Sequence, residues 1–85
     1  MQKNSNILYS KMDSVVDIVK AIIEGKRNGR HHPEIALDYE IDEIYSGDNL
    51  IGELEAMVVS GVLRRGRTIN NNYYTIPPKK LNINK

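Results

Sequence analysis

The chain has 85 residues, no cysteine and a formal net charge of +1. This length suits one small domain with a single core and leaves little room for an elaborate buried active site, and without cysteine the chain forms neither disulfides nor zinc–thiolate sites. No apolar run approaches the roughly 20 residues that cross a bilayer, and residues 1–6 lack the apolar centre of a signal peptide. We therefore expect a cytoplasmic protein that has no membrane partner.

Charged residues are unevenly distributed along the chain. The segment 34–55 contains eight acids and no lysine or arginine, whereas 64–85 contains six bases and no acid. A second basic cluster lies before His31 and His32 and consists of Lys26, Arg27 and Arg30. The small net charge therefore conceals acidic and basic segments that can face different partners.

The first predicted helix begins near residue 14. Asp13 and Ser14 are good helix caps, and the apolar residues that follow cover a wide arc at helical spacing: Val15, Val16, Ile18, Val19, Ile22 and Ile23. Gly25 is expected to end this helix. Such a wide arc indicates packing against two neighbours or across a dimer axis, and residues 1–12 form either an extension of the helix or a separate arm.

A loop and two further helices are predicted next. Residues 26–33 are rich in glycine, asparagine and basic residues and end in Pro33, where a second helix can begin. Residues 34–41 are compatible with a short helix, and residues 46–49 favour a turn and a helix cap. A third helix is expected from about Asn49 to Ser60, with an apolar inner face formed by Leu50, Leu54, Met57 and Val58.

A basic hairpin, which we call the wing (residues 62–76), is predicted after Gly61. Its first strand carries three arginines, residues 70–72 can turn the chain, and residues 73–76 are rich in β-forming side chains. Tyr73 and Tyr74 point to opposite faces, so that one of them packs on the core. Residues 77–85 are expected to form a flexible basic tail.

The segment from Leu50 to Ile76, with the sequence MVVSGVL at residues 57–63 at its centre, resembles the third helix and wing of winged helix-turn-helix regulators such as the MarR and ArsR groups. The resemblance implies an α+β winged helix over residues 13–76, with a three-helix core and a C-terminal wing of two or three strands. It also implies a regulator whose third helix lies in the DNA major groove while wing arginines reach the backbone or minor groove. The joint at residues 41–48 departs from the family pattern, because it is longer than usual and acidic.

Nine residues are candidates for contact with duplex DNA. The hairpin arginines and tail lysines would neutralise phosphates: Arg64, Arg65, Arg67, Lys79 and Lys80. Lys26, Arg27 and Arg30 would contact flanking backbone, and Asn49 would contact a base edge. The alternative interpretation of the hairpin charges is simple protection of an exposed edge strand.

The acids of the third helix oppose DNA binding. Asp48, Glu53 and Glu55 would approach a duplex that carries one charge per about 1.7 Å of its axis. Either the basic segments supply the phosphate contacts while the helix contributes only its amino-terminal end, or the acidic face binds a basic protein. A plain solvated surface is the third interpretation of these acids.

From these patterns we expect a homodimer, paired through the amino-terminal helix, that binds duplex DNA as a transcriptional, replication or partition regulator. No motif predicts an enzyme, a cofactor or a metal site, since adjacent histidines without cysteine make a poor ligand set. The alternative is a winged-helix adaptor whose acidic second and third helices dock a basic protein. A self-assembling module, joined head to tail through its acidic and basic segments, is a further class.

Overall fold

The computed structural model describes residues 12–78, which form three helices and one antiparallel sheet of three strands. In chain order the elements are α1 (Val15–Asn28), β1 (Ala36–Leu37), α2 (Asp38–Ile44), α3 (Leu50–Val59), β2 (Arg64–Arg67) and β3 (Asn72–Thr75). The strands lie in the order β1-β3-β2, so β3 is central and β2 is an edge strand. The predicted α+β class is confirmed, and this layout is compatible with a winged helix.

Helix α1 begins where the sequence predicts and ends later than expected. The Ser14 hydroxyl accepts a hydrogen bond from the amide of Asp17 at 3.3 Å, and the helix continues through Gly25 to Asn28. The prediction that Gly25 ends the helix is therefore wrong. A glycine inside a helix costs only about 1 kcal/mol relative to alanine, and the next residue, Lys26, is held by contacts described below.

The segment after α1 contains a short strand that the sequence analysis missed. Ala36 pairs with Tyr74 and Leu37 with Tyr73, and α2 starts only at Asp38. A second helix beginning at Pro33 is therefore wrong. The amide of Leu37 donates to Glu40 Oε1 at 2.9 Å, which satisfies a free amide at the start of α2.

Helix α3 agrees with its predicted limits. The side-chain oxygen of Asn49 accepts a hydrogen bond from the amide of Gly52 at 3.3 Å, and the helix ends at Val59. Gly61 then adopts a φ of +85°, a conformation that L side chains rarely adopt, and directs the chain toward β2. Strand β2 is shorter than the predicted strand, and β3 begins at Asn72.

The core lies between the helices and one face of the sheet. Its buried residues come from every helix and from the sheet region: Val15, Ile18, Val19, Ile23, Ala36, Ile41, Tyr45, Leu54, Leu63 and Tyr74. Of the two neighbouring tyrosines, Tyr74 is the one that packs on the core, while the ring of Tyr73 lies over Gly66 on the opposite face. The sequence predicts that one tyrosine of this pair packs on the core, and the register of the strands determines which one.

The predicted segments at the two ends fall largely outside the described residues. Residues 1–11 of the proposed arm and residues 79–85 of the proposed tail, with Lys79 and Lys80, lie outside them. Met12 is described, and its backbone pairs with the end of α2: its amide donates to Ile44 O at 3.0 Å, and its carbonyl accepts from the amide of Ser46 at 2.8 Å.

Two glycines should respond in opposite directions to replacement by alanine. Gly25→Ala should stabilise the protein by about 0.5–1 kcal/mol, because the residue is helical and no atom lies near the added methyl group. Gly61→Ala should destabilise it by about 1–2 kcal/mol, because of its positive φ. Thermal unfolding of the two variants measures both effects, and a loss of stability in Gly25→Ala would contradict the helix through this position.

Candidate interaction surfaces

Three of the predicted DNA contacts are joined to carboxylates within the protein. Lys26 Nζ lies 2.8 Å from Glu40 Oε1 and donates to the carbonyl of Ile35 at 2.7 Å. The Lys26 side chain is only 21% exposed. These contacts join the last turn of α1 to the segment that enters α2, so they give Lys26 a structural role.

Arg27 and Arg65 also have acidic partners. Arg27 Nε lies 3.0 Å from Glu34 Oε1, and Arg65 Nη1 lies 2.7 Å from Glu55 Oε1. The hydrogen bond that Arg65 donates to Glu55, together with a weaker interaction with Tyr74, raises the pKa of Arg65 above its ordinary value. The central arginine of the wing is therefore paired with an acid of α3.

The remaining arginines of the prediction are unopposed within the described part of the chain. The guanidinium groups of Arg30, Arg64 and Arg67 form no ion pair or side-chain hydrogen bond with residues 12–78. Arg64 and Arg67 lie on the edge strand β2 and point to opposite faces of the sheet. Their position fits both phosphate contact and edge protection.

The side-chain amide of Asn49 is already hydrogen-bonded through its oxygen atom. Its oxygen caps α3, and its side-chain nitrogen has no partner among residues 12–78. Contact between Asn49 and a base edge remains a prediction, as do the phosphate contacts of Lys79 and Lys80.

The outward face of α3 carries exposed apolar side chains on both sides of Glu55, a feature that was not predicted from the sequence. Ile51 is 83% exposed and Val59 is 76% exposed, and Val62 just beyond the helix is 42% exposed. Ile51, Glu55 and Val59 form one stripe at four-residue spacing, and Glu55 is the acid that pairs with Arg65. The signal was available in the sequence, because Ile51 and Val59 fall outside the inner face set by Leu50 and Leu54.

A second feature borders this stripe. An open groove of about 620 Å³ lies between α2, the start of α3 and the sheet, and we call it the α2–α3 groove. Apolar side chains contribute most of its lining and carboxylates are its main charged groups: Tyr39, Leu50, Ile51, Leu54 and Tyr74, with Asp38, Asp42 and Asp48. Arg65, Asn49 and Asn72 complete it. Ile51 belongs to both the groove and the stripe.

One acid of α3 faces inward. The hydroxyl of Tyr45 donates to Glu53 Oε2 at 2.7 Å, which joins the end of α2 to α3. This hydrogen bond, with burial of the ring, raises the pKa of Tyr45 above its ordinary value. Glu53 therefore helps to fix the angle between the helices, and its carboxylate is not an isolated surface charge.

The charge of the described domain differs in sign from that of the whole chain. Residues 12–78 contain seven lysines and arginines and eleven acids, which gives a formal net charge of −4. All acids of the chain lie in this part. Its overall field therefore repels a polyanion, except close to the unopposed arginines.

Comparison with known proteins found no matching family model, no matching curated protein and no matching solved structure. Among residues 12–78 no group of three or more His, Cys, Asp or Glu side chains is placed to hold a metal ion. In the same part of the chain, no helix has both the length and the apolar character needed to cross a membrane.

The structural role assigned to Lys26 can be tested by stability. Lys26→Ala should lower the free energy of unfolding by about 1–2 kcal/mol, since Glu40 loses its cationic partner and the Ile35 carbonyl loses the ammonium donor. Lys20→Ala is the matched control, because Lys20 is an exposed lysine of the same helix without a polar partner among the described residues. Equal losses for the two variants in urea unfolding would contradict the role.

Proposed function

We propose that this protein is a small protein–protein interaction module that binds its partner on the outward face of α3. One observation carries the proposal: this face presents Ile51 and Val59 to solvent, and its one charged residue, Glu55, is already paired with Arg65. Exposed apolar side chains that line one helix face of a small domain mark a candidate interaction site.

We also propose that the fold is a winged helix. The order α1-β1-α2-α3-β2-β3 and the strand order β1-β3-β2 support it. The sequence resemblance would then make α3 the helix that usually enters the DNA major groove. In this chain α3 contains two glutamates and no lysine or arginine. A winged helix used as an adaptor fits this composition better than one that reads DNA through α3.

The magnitudes favour an apolar contact. Complete burial of an isoleucine or valine side chain contributes about 1.5–3 kcal/mol, whereas an exposed ion pair contributes about 0.2–1 kcal/mol. Ile51 and Val59 together therefore outweigh the surface charges of α3 as a source of affinity. Bringing Glu53 and Glu55 close to phosphates would be unfavourable instead.

The test selects binders from a displayed library of random short peptides on the full-length protein and titrates synthetic copies of them. Val59→Glu should weaken binding at least about tenfold, as expected for the loss of a buried apolar side chain. Ile69→Glu is the matched control, because Ile69 is 93% exposed in the hairpin turn and belongs neither to α3 nor to the groove lining. Equal binding by the wild type and Val59→Glu would refute the proposed face. Sedimentation of Val59→Glu and Ile69→Glu shows whether the partner is a second copy of this protein.

Duplex DNA is a second candidate ligand, supported by the three arginines that have no acidic partner within residues 12–78. In this alternative Arg64, Arg67 and Arg30 contact the backbone, α3 stays outside the groove, and regulation of transcription, replication or partition would follow from binding. The homodimer predicted through the amino-terminal helix would also take part in DNA binding.

A gel-shift experiment with random duplex DNA separates the two candidates. Under the adaptor proposal we expect no shift at about 50 mM salt, where phosphate contacts are strong. If DNA is the ligand, the wild type shifts the duplex and Arg64→Gln/Arg67→Gln lowers the salt slope by about 2, one unit per lost phosphate contact. Arg27→Gln is the control, because Arg27 is already paired with Glu34.

A further inference from the structure

The α2–α3 groove and the α3 stripe share Ile51, so a partner that covers the stripe also reaches the groove. We propose that the groove receives a lysine or arginine side chain of the protein partner, carried on a segment with apolar neighbours. This inference rests on the proposed function and specifies the chemistry of the partner.

Two carboxylates in the groove are available to a cation. Asp42 and Asp48 make no hydrogen bond or ion pair with residues 12–78. Asp38 is already engaged, because its oxygens accept from Asn71 Nδ2 at 3.0 Å and from the amide of Asn72 at 3.2 Å. The negative charge offered to a ligand therefore comes mainly from α2 and the turn before α3.

Arg65 does not cancel this charge. It lines the groove, but its guanidinium is 2.7 Å from Glu55, so the pair is neutral as a whole. Asp42 and Asp48 remain, and they favour a positive ligand over a phosphate or an acidic peptide.

The apolar lining explains why the ligand should be a long basic side chain. Lysine and arginine lay their methylene stems on apolar surface while the charged end stays in a polar environment. Tyr39 and Leu50 offer such a surface beside the two aspartates. Apolar neighbours of the basic residue would then cover Ile51 and the rest of the stripe.

The test uses the peptides selected on the wild-type protein. We expect them to contain lysine or arginine between apolar residues. Asp42→Asn/Asp48→Asn should weaken their binding about fivefold, because the free energies of two exposed charge contacts are lost together. Replacing the basic residue of the peptide with glutamine should weaken binding to the wild type similarly and have little further effect on the double variant.

A charge-matched control separates the groove from net charge. Asp13→Asn/Glu24→Gln removes two exposed acids outside the groove and should change binding less than about twofold. Neither Asp42 nor Asp48 makes a hydrogen bond or ion pair within residues 12–78, so the groove variant should fold as the wild type does, which circular dichroism checks.

The outcomes distinguish this inference from the proposed function. The groove assignment is overturned if the selected peptides depend on Val59 but lack a basic residue. It is also overturned if their affinity is unchanged by Asp42→Asn/Asp48→Asn. Either result leaves the α3 face in place. An equal loss with the control pair also overturns it. Peptides that ignore Val59→Glu overturn the proposed function, and a shift of random duplex DNA that depends on Arg64 and Arg67 favours the second candidate.

Discussion

Ion pairs between residues far apart in the chain decide which charges of this protein are free to act. The pair between Arg65 and Glu55, 2.7 Å apart, joins the edge strand of the sheet to α3. It removes the central arginine from the basic wing and the one charge from the outward stripe of α3. Lys26 is likewise unavailable to a ligand, because it is paired with Glu40. The candidate surfaces are therefore what remains after this pairing: an apolar helix face, an acidic groove and three arginines.

The elements that the sequence predicts well are those with local causes. Helix α3 has its own cap in Asn49, a regular apolar face and a glycine with positive φ just beyond its end. The missed elements depend on distant residues. Strand β1 exists because Ala36 finds Tyr74 across the sheet, and α1 extends past Gly25 because Lys26 reaches Glu40 and Ile35. No pattern within a few residues of these positions contains that information.

The same distinction applies to the candidate site. Clusters of basic residues are visible in the sequence, but their carboxylate partners are seven to fourteen positions away and on other elements. Glu53, expected on the outer side of the third helix, instead accepts a hydrogen bond from the hydroxyl of Tyr45. All of these basic residues are visible in the sequence, but the sequence does not distinguish Arg30, Arg64 and Arg67, which are unopposed within residues 12–78, from the paired ones.

Under the proposed function, the remaining surfaces contribute to binding in different ways. Apolar side chains such as Ile51 and Val59 would supply affinity without selecting a partner's charge. The neighbouring aspartates would contribute less free energy, but they would reject acidic partners and fix orientation, because like charges brought together cost several kcal/mol. On the edge strand β2, Arg65 lines the same groove and pairs with Glu55, while the other two arginines of the strand can repel other strands or contact an anion. Ile51, which belongs to both the stripe and the groove, is where affinity and selectivity would be coupled.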